Sequence, residues 1–110
     1  MKNFRVYQDS LVLAKQIAPV IAEIRKQDNN LADQLRRALT SVPLNLAEGA
    51  GQAGGNRKQR YLTAMGSLRE VEACVQVAEA LGYLEPNAEM NGQLAKTVVG
   101  AHRLCQYYCY

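Results

Sequence analysis

Residues 31–48, LADQLRRALTSVPLNLAE, place an apolar side chain at every third or fourth position. This spacing puts those side chains on one face of an α-helix, where they can pack against other helices. Residues 31–48 are therefore predicted to form an amphipathic helix, with a kink at Pro43 because a proline inside a helix removes one backbone hydrogen bond. The apolar stripe consists of Leu31, Leu35, Ala38, Leu39, Val42 and Leu46.

Three further segments have the same helical period. They run from about Val6 to Gln27, from about Arg57 to Leu81 and from about Pro86 to Tyr108. Pro19 lies inside the first segment and predicts a second kink. No segment alternates apolar and polar residues as a half-buried strand does. Four helices joined by short breaks predict one all-α domain over residues 1–110, an antiparallel up-down-up-down four-helix bundle.

Polar residues before each segment are candidates for the helix starts. Asn29 or Asn30 is a suitable N-cap for the second helix, because a short polar side chain can accept a hydrogen bond from the first turn. Asn56 resembles the first residue of a capping box at the third helix. Pro86 suits the first turn of the fourth helix, where its missing donor costs nothing.

Glycines mark the predicted helix ends. Gly49 and Gly51 are expected to end the second helix in a left-handed conformation, and Gly82 to end the third. The spacing Gly49-x-Gly51-x-x-Gly54 matches the dinucleotide-binding pattern in letters only, since that motif follows a strand and a helix precedes it here. No cofactor is therefore predicted.

The composition excludes several classes of protein. No run of 18 apolar residues spans a membrane, and the start of the chain lacks the features of a signal peptide. An odd number of cysteines without a C-x-x-C pair is typical of a reducing compartment, so a cytoplasmic location is expected.

Catalytic and metal-binding patterns are weak. His102 is the only histidine, and its spacing to Cys105 and Cys109 permits a metal site. A histidine beside the core with two buried thiols is the preferred interpretation, so neither a metal nor an enzymatic activity is predicted.

The net charge of +3 is unevenly distributed along the chain. Residues 31–70 carry six Lys/Arg against three Asp/Glu, whereas residues 71–110 carry two against four. One side or end of the molecule is therefore expected to be basic. Such a cluster is often only a solvated face, but Lys and Arg also contact phosphates without reading sequence. The candidate nucleic-acid-binding residues are Arg36, Arg37, Arg57, Lys58 and Arg60.

A polar face lies on the second helix away from the apolar stripe. At about 100° per residue, its four side chains fall within about 80° of one another. We interpret this face, with a carboxylate from the third helix, as a polar seam with a structural or subunit-contact role. Ligand or RNA contact and simple exposure are the alternatives. The seam consists of Arg37, Ser41, Asn45, Glu48 and Glu70, with Arg36 or Arg37 expected to pair with Glu48 or Glu70.

Several short motifs resemble a known family. QLRRA at residues 34–38 and SVPLNLAEG at residues 41–49 are the most specific, and RYL at 60–62, GSLRE at 66–70 and GYL at 82–84 agree with them. The chain resembles the bacterial four-helix-bundle proteins encoded in intervening sequences of 23S rRNA genes, which are related to the accessory variability proteins of diversity-generating retroelements. The resemblance implies a homopentamer and a role in binding RNA or a nucleic-acid enzyme.

Residues and resemblance together predict a non-enzymatic homo-oligomer that binds RNA or DNA through its basic residues. The alternative is a protein-interaction scaffold, or an accessory subunit of a nucleic-acid enzyme, that makes no direct contact with nucleic acid.

Overall fold

Four helices make up the fold in the computed structural model, which describes residues 4–110. They are α1 (Arg5–Arg25), α2 (Asn29–Ala50), α3 (Gly54–Ala80) and α4 (Ala88–Tyr108). No strand occurs among residues 4–110. The predicted all-α, four-helix class is confirmed. Residues 1–3 of the predicted domain lie outside the described residues.

The helices pack in chain order, and α4 returns to pack on α1. Several links between successive helices join a residue late in one helix to a residue early in the next, as antiparallel neighbours do. The molecule is 42 Å long and 24 × 23 Å across. Links of this kind are Arg25 Nη1 to Asp33 Oδ1 at 2.8 Å, Arg60 Nη1 to Asn45 Oδ1 at 3.3 Å and Asn91 Nδ2 to Glu79 Oε2 at 3.1 Å.

The apolar stripe of α2 is the centre of the core. All six of its predicted members are buried. Ile17 and Ile24 of α1, Leu68 of α3 and Met90 of α4 pack in the same cluster. Each such side chain contributes about 1.5–3 kcal/mol by leaving water, so this shared core holds the four helices together.

Pro19 and Pro43 lie inside α1 and α2, and both helices continue through them. A bend at either proline remains a prediction. No helix among residues 4–110 combines the length and the apolar character needed to cross a membrane.

The start of α2 differs from the prediction. Asp28, not Asn29 or Asn30, is the N-cap, and its Oδ1 accepts a hydrogen bond from the Leu31 amide at 2.9 Å. Asp28 has an extended backbone with φ of −157°, whereas both asparagines are already helical. Its Oδ2 also accepts a hydrogen bond from the Tyr83 hydroxyl at 3.4 Å, which links the two loops at this end of the bundle.

The starts of α3 and α4 also differ. Helix α3 begins at Gly54, so Asn56 lies within its first turn and is not a cap. In α4 the N-cap is Asn87, whose Oδ1 accepts from the Met90 amide at 3.0 Å, and Pro86 precedes the helix. Helix α4 thus begins with a hydrogen-bonding cap, while no cap side chain bonds to the start of α3.

Gly82 ends α3 as predicted. Its φ of +76° is a conformation that glycine adopts at little cost. The amides of Gly82 and Tyr83 then reach back to the carbonyl groups of Glu79 and Ala78 at 3.1 and 2.8 Å, the Schellman arrangement. Gly51 ends α2 without a left-handed conformation, with φ of −88°.

Candidate nucleic-acid interface

One end of the bundle collects most of the aromatic side chains. The helix order brings the start of α1, the end of α2, the start of α3 and the end of α4 together there. Tyr61 lies at its centre, with the ring centroids of Phe4 and Tyr108 at 6.1 and 5.4 Å. Tyr107 contacts Tyr108 edge to face at 4.7 Å. This region is called the aromatic end and comprises Phe4, Tyr7, Tyr61, Tyr107 and Tyr108.

Gly49 allows α2 to lie directly on the Tyr61 ring. A Cβ at Gly49 would stand 2.5 Å from Cε1 of Tyr61, which is only 4% exposed. The prediction that Gly49 ends α2 is wrong, because Gly49 is buried inside the last turn of that helix. The missing side chain of Gly49 allows α2 and α3 to approach each other closely.

Two cysteines connect α4 to α3 below the aromatic end. Cys105 Sγ donates to the Tyr61 carbonyl at 3.6 Å, and Cys109 Sγ donates to the Lys58 carbonyl at 3.7 Å. Burial, followed by the neighbouring Cys109, raises the pKa of Cys105 to about 11. His102 is exposed, so it does not converge with the buried thiols. Among residues 4–110 no group of His, Cys, Asp and Glu is arranged to hold a metal.

Three of the predicted basic residues lie in the second turn of α3, at the aromatic end. The guanidinium carbon of Arg57 stands 4.5 Å from the centroid of the Tyr108 ring, a cation–π contact. Arg60 turns the other way and donates to Asn45 of α2 at 3.3 Å. Lys58 is exposed between them. The turn therefore presents positive charge from α2 across to α4.

Arg36 and Arg37 are not part of this group. Both are exposed on α2, and Arg37 lies twelve residues before Gly49, which is about 18 Å along the helix axis. The pKa of Asp33 is lowered mainly by its hydrogen bond to Arg25, and further by the charges of Arg36 and Arg37. The five basic residues of the prediction thus form two separate groups.

The predicted polar seam is divided as well. Ser41 and Asn45 lie between α2 and α3, where Ser41 Oγ shares a 2.7 Å hydrogen bond with Ser67 Oγ and Asn45 Nδ2 donates to the Ser41 carbonyl at 2.9 Å. Both hydrogen bonds are half-buried, and they lie within one subunit. The other three members, Arg37, Glu48 and Glu70, are exposed.

The expected ion pairs of the seam are absent from residues 4–110. Neither Arg36 nor Arg37 has a carboxylate of this range within 4.0 Å, and Glu48 accepts a hydrogen bond from Gln52 at 3.1 Å instead. The described side-chain hydrogen bonds from the seam to α3 are those of Ser41 with Ser67 and of Asn45 with Arg60.

Sequence reasoning missed two basic residues at the aromatic end. Arg5 is the first residue of α1 and Arg103 lies in the last two turns of α4, and both line a groove between these helices. They are almost the whole chain apart in sequence. The antiparallel order of the helices is the signal that could have placed them together.

The cations of the aromatic end have no carboxylate partners. Within residues 4–110, no carboxylate lies within 4.0 Å of any of the five, whereas Arg25 and Lys26 at the opposite end form ion pairs. Positive charge at this end is therefore not neutralised by direct pairing. The five residues are Arg5, Arg57, Lys58, Arg60 and Arg103.

Comparison with known proteins gives one family. No curated protein matches the chain. The family model described as 23S rRNA-intervening sequence protein matches residues 2–99, which cover α1, α2, α3 and the first half of α4. The chain therefore belongs to the 23S rRNA-intervening sequence protein family.

Proposed function

We propose that this protein is a non-enzymatic homopentamer of the cytoplasm that binds RNA or DNA through its aromatic end. The observation that supports this proposal is the group of five Lys/Arg residues without carboxylate partners among exposed tyrosines. The family description names a 23S rRNA intervening sequence, and the three free cysteines suit a reducing compartment.

Unpaired cations favour phosphate binding for two reasons. Phosphates condense counterions, and each Lys or Arg that replaces one releases it into solution. A cation already held by a carboxylate would first have to break that pair. Tyr107 and Tyr110, which are 79% and 86% exposed, add rings on which unpaired bases can stack.

Self-association is supported by an apolar groove between α1 and α2. The groove has a volume of about 510 Å³ and includes Ala18, Leu39 and Pro43. Leu44 at its edge is 68% exposed and extends the groove into a contiguous apolar patch, a feature that can mark a protein–protein contact. A second copy of the chain is the proposed partner. The number of five subunits rests on the family resemblance.

A ring of subunits would strengthen a modest binding surface. Cyclic symmetry places equivalent ends of all subunits on one face, so five aromatic ends would point the same way. A nucleic acid bound to one subunit would then meet the others at high effective concentration. Arg36 lines the proposed subunit groove, so in a ring we expect it to contribute less to phosphate binding than the α3 cations do.

Fluorescence anisotropy with a labelled single-stranded RNA, measured from 50 to 200 mM salt, tests this function. For the three α3 cations of one subunit we expect a log–log slope of about −2, which is a loss of affinity of about 20-fold over this range. Absence of binding at 50 mM salt, or an affinity that salt does not change, would overturn the proposal.

A pull-down from nuclease-treated lysate distinguishes the protein-interaction scaffold from a protein that binds nucleic acid directly. If a partner protein is retained after nuclease treatment, and the purified chain binds neither RNA nor DNA, the protein is an accessory subunit and direct nucleic-acid binding is wrong.

A further inference from the structure

A second surface of the aromatic end, the groove between α1 and α4, has the features of a nucleotide site. It has a volume of about 800 Å³, within the range of about 300–1,000 Å³ for small-ligand pockets. We propose that it binds an unpaired base of a single-stranded nucleic acid together with the phosphates that flank it. This inference rests on the proposed function and names the form of nucleic acid that is bound.

The floor of the groove is apolar and includes one glycine. Gly100 of α4 faces Val6 of α1, and a Cβ at Gly100 would already lie 3.4 Å from Val6 Cγ2. This is an ordinary van der Waals distance, and Gly100 adds no side chain of its own to the floor. Val99 and Leu104 extend the floor, with Val99 49% exposed.

The charged residues of the groove select an anion. Arg5, Lys96 and Arg103 line it, against one carboxylate, Asp9. Asp9 is engaged with Lys96 Nζ at 3.6 Å, and neither Arg5 nor Arg103 has a carboxylate of residues 4–110 within 4.0 Å. Two guanidinium groups are therefore available to phosphates at the rim of an apolar floor.

The tyrosines of the groove select a planar ring. Tyr107 and Tyr108 both line it, and the edge-to-face angle of 69° between their rings leaves the mostly exposed Tyr107 ring accessible to a ligand. A base in a duplex is covered by its neighbours in the stack, so only an unpaired base can offer a free face to Tyr107. An apolar floor, a free ring and two cations together fit a nucleotide of a single strand.

Other observations on the groove bear on its occupant. A two-fold contact between two copies of this groove would bring the same cations face to face, which disfavours a second copy as the occupant. Its α4 wall from Gly100 onward also lies beyond residues 2–99, which the family model matches. The residues matched by the family model therefore include only part of the groove lining.

The test compares three labelled twelve-nucleotide ligands by anisotropy at fixed salt: oligouridine, an abasic strand with the same phosphates, and a duplex. We expect oligouridine to bind about tenfold more tightly than the abasic strand, in line with stacking of one or two bases. Oligothymidine in parallel shows whether the site distinguishes RNA from DNA. Equal affinity for oligouridine and the abasic strand would overturn this inference alone. No binding of any ligand would overturn the proposed function as well.

Matched variants locate the site. V99E places a carboxylate in the groove and should weaken oligouridine binding at least tenfold, whereas V77E makes the same charge change at a residue of α3 that is 45% exposed and should change it less than twofold. Tyr107→Ala should remove the preference for oligouridine over the abasic strand, and Tyr107→Phe should keep it. Because Tyr107 is outside the core, its variants report on binding even if V99E fails to fold. Equal effects of V99E and V77E, or an unchanged preference in Tyr107→Ala, would overturn the inference.

Discussion

At Gly49 a single methyl group would collide with the Tyr61 ring. Gly49→Ala should therefore lower the free energy of unfolding by about 1–3 kcal/mol, the usual cost of overpacking, although alanine is the better helix former. Gly66→Ala is the matched control, because a Cβ at this site inside α3 meets nothing within 4 Å, and it should gain about 0.5–1 kcal/mol. Urea unfolding at one protein concentration measures both. Changes of the same sign would contradict this account of Gly49.

The Cys105 thiol makes stability depend on pH in the alkaline range. Burial raises its pKa to about 11, whereas in the unfolded chain we expect about 8.5. The unfolded state therefore loses the proton first, and the stabilisation from the protonated thiol, complete below about pH 8.5, declines as pH rises towards 11.

Cys105→Ser keeps a hydrogen-bond donor for the Tyr61 carbonyl but does not titrate in this range. Between pH 9 and 11 the free energy of unfolding of Cys105→Ser should fall less steeply than that of the wild type. The two slopes should differ by up to about 1.4 kcal/mol per pH unit. Denaturant titrations at pH 7, 9 and 10.5 measure the difference. If the free energy of unfolding falls with pH equally in the wild type and in Cys105→Ser, the Cys105 thiol does not stay protonated in the folded protein.

At the scale of elements, the loop between α1 and α2 is held by Asp28. Asp28→Ala removes the cap of α2 and the acceptor of the Tyr83 hydroxyl, and should cost about 1 kcal/mol. Asn29→Ala, one residue later on an exposed first turn, should cost less than about 0.5 kcal/mol. Thermal and urea unfolding distinguish the two variants. A larger loss for Asn29→Ala would restore the asparagine cap that the sequence suggested.

The helices themselves could be predicted because a 3.6-residue apolar period has one structural meaning. Their starts could not, since Asp28, Asn29 and Asn30 all have capping side chains and only the backbone conformation selects among them. Helix α3 begins at the exposed Gly54, three residues before the predicted start, so residues of low helix propensity occupy its first turn.

The candidate site was predictable only in part. Arg57, Lys58 and Arg60 are close in sequence and share one turn of α3, so their local spacing alone brings them together. The distance from Arg37 to the aromatic end follows from the helical rise. Arg103 joins the site only through the order of the helices, a property of the whole bundle that no local motif contains.

At the scale of the whole molecule, the α1–α2 groove is the proposed contact between subunits. Leu44→Glu should lower the mass measured by light scattering towards that of one chain, because a carboxylate would be buried against an apolar groove. Val77→Glu, at another exposed apolar residue, should leave the mass unchanged. Circular dichroism checks that both variants stay helical. If Leu44→Glu assembles as the wild type does, the contact lies elsewhere.

The two ends of the bundle differ in charge. The end opposite to the aromatic end carries several acidic residues in and around its loops, while its cations Arg25 and Lys26 form ion pairs. A nucleic acid approaching a ring of such bundles would be attracted to one face and repelled by the other. The acidic residues are Asp28, Asp33, Glu79, Glu85 and Glu89.

Nucleic acid is proposed to bind the aromatic end through unpaired cations. The most direct measurement is the salt dependence of RNA affinity in the variant R57Q/K58Q/R60Q. Each phosphate contact that is lost should reduce the slope by about 0.7, the value for a single-stranded ligand.

A triple variant of equal charge serves as its control, with three cations away from the aromatic end replaced: Lys15→Gln, Lys26→Gln and Arg69→Gln. We expect the aromatic-end variant to lose at least tenfold in RNA affinity at 50 mM salt and most of its salt slope, while the control keeps the wild-type slope. Equal losses in the two variants would contradict the proposal, because binding would then follow net charge and not this end of the bundle.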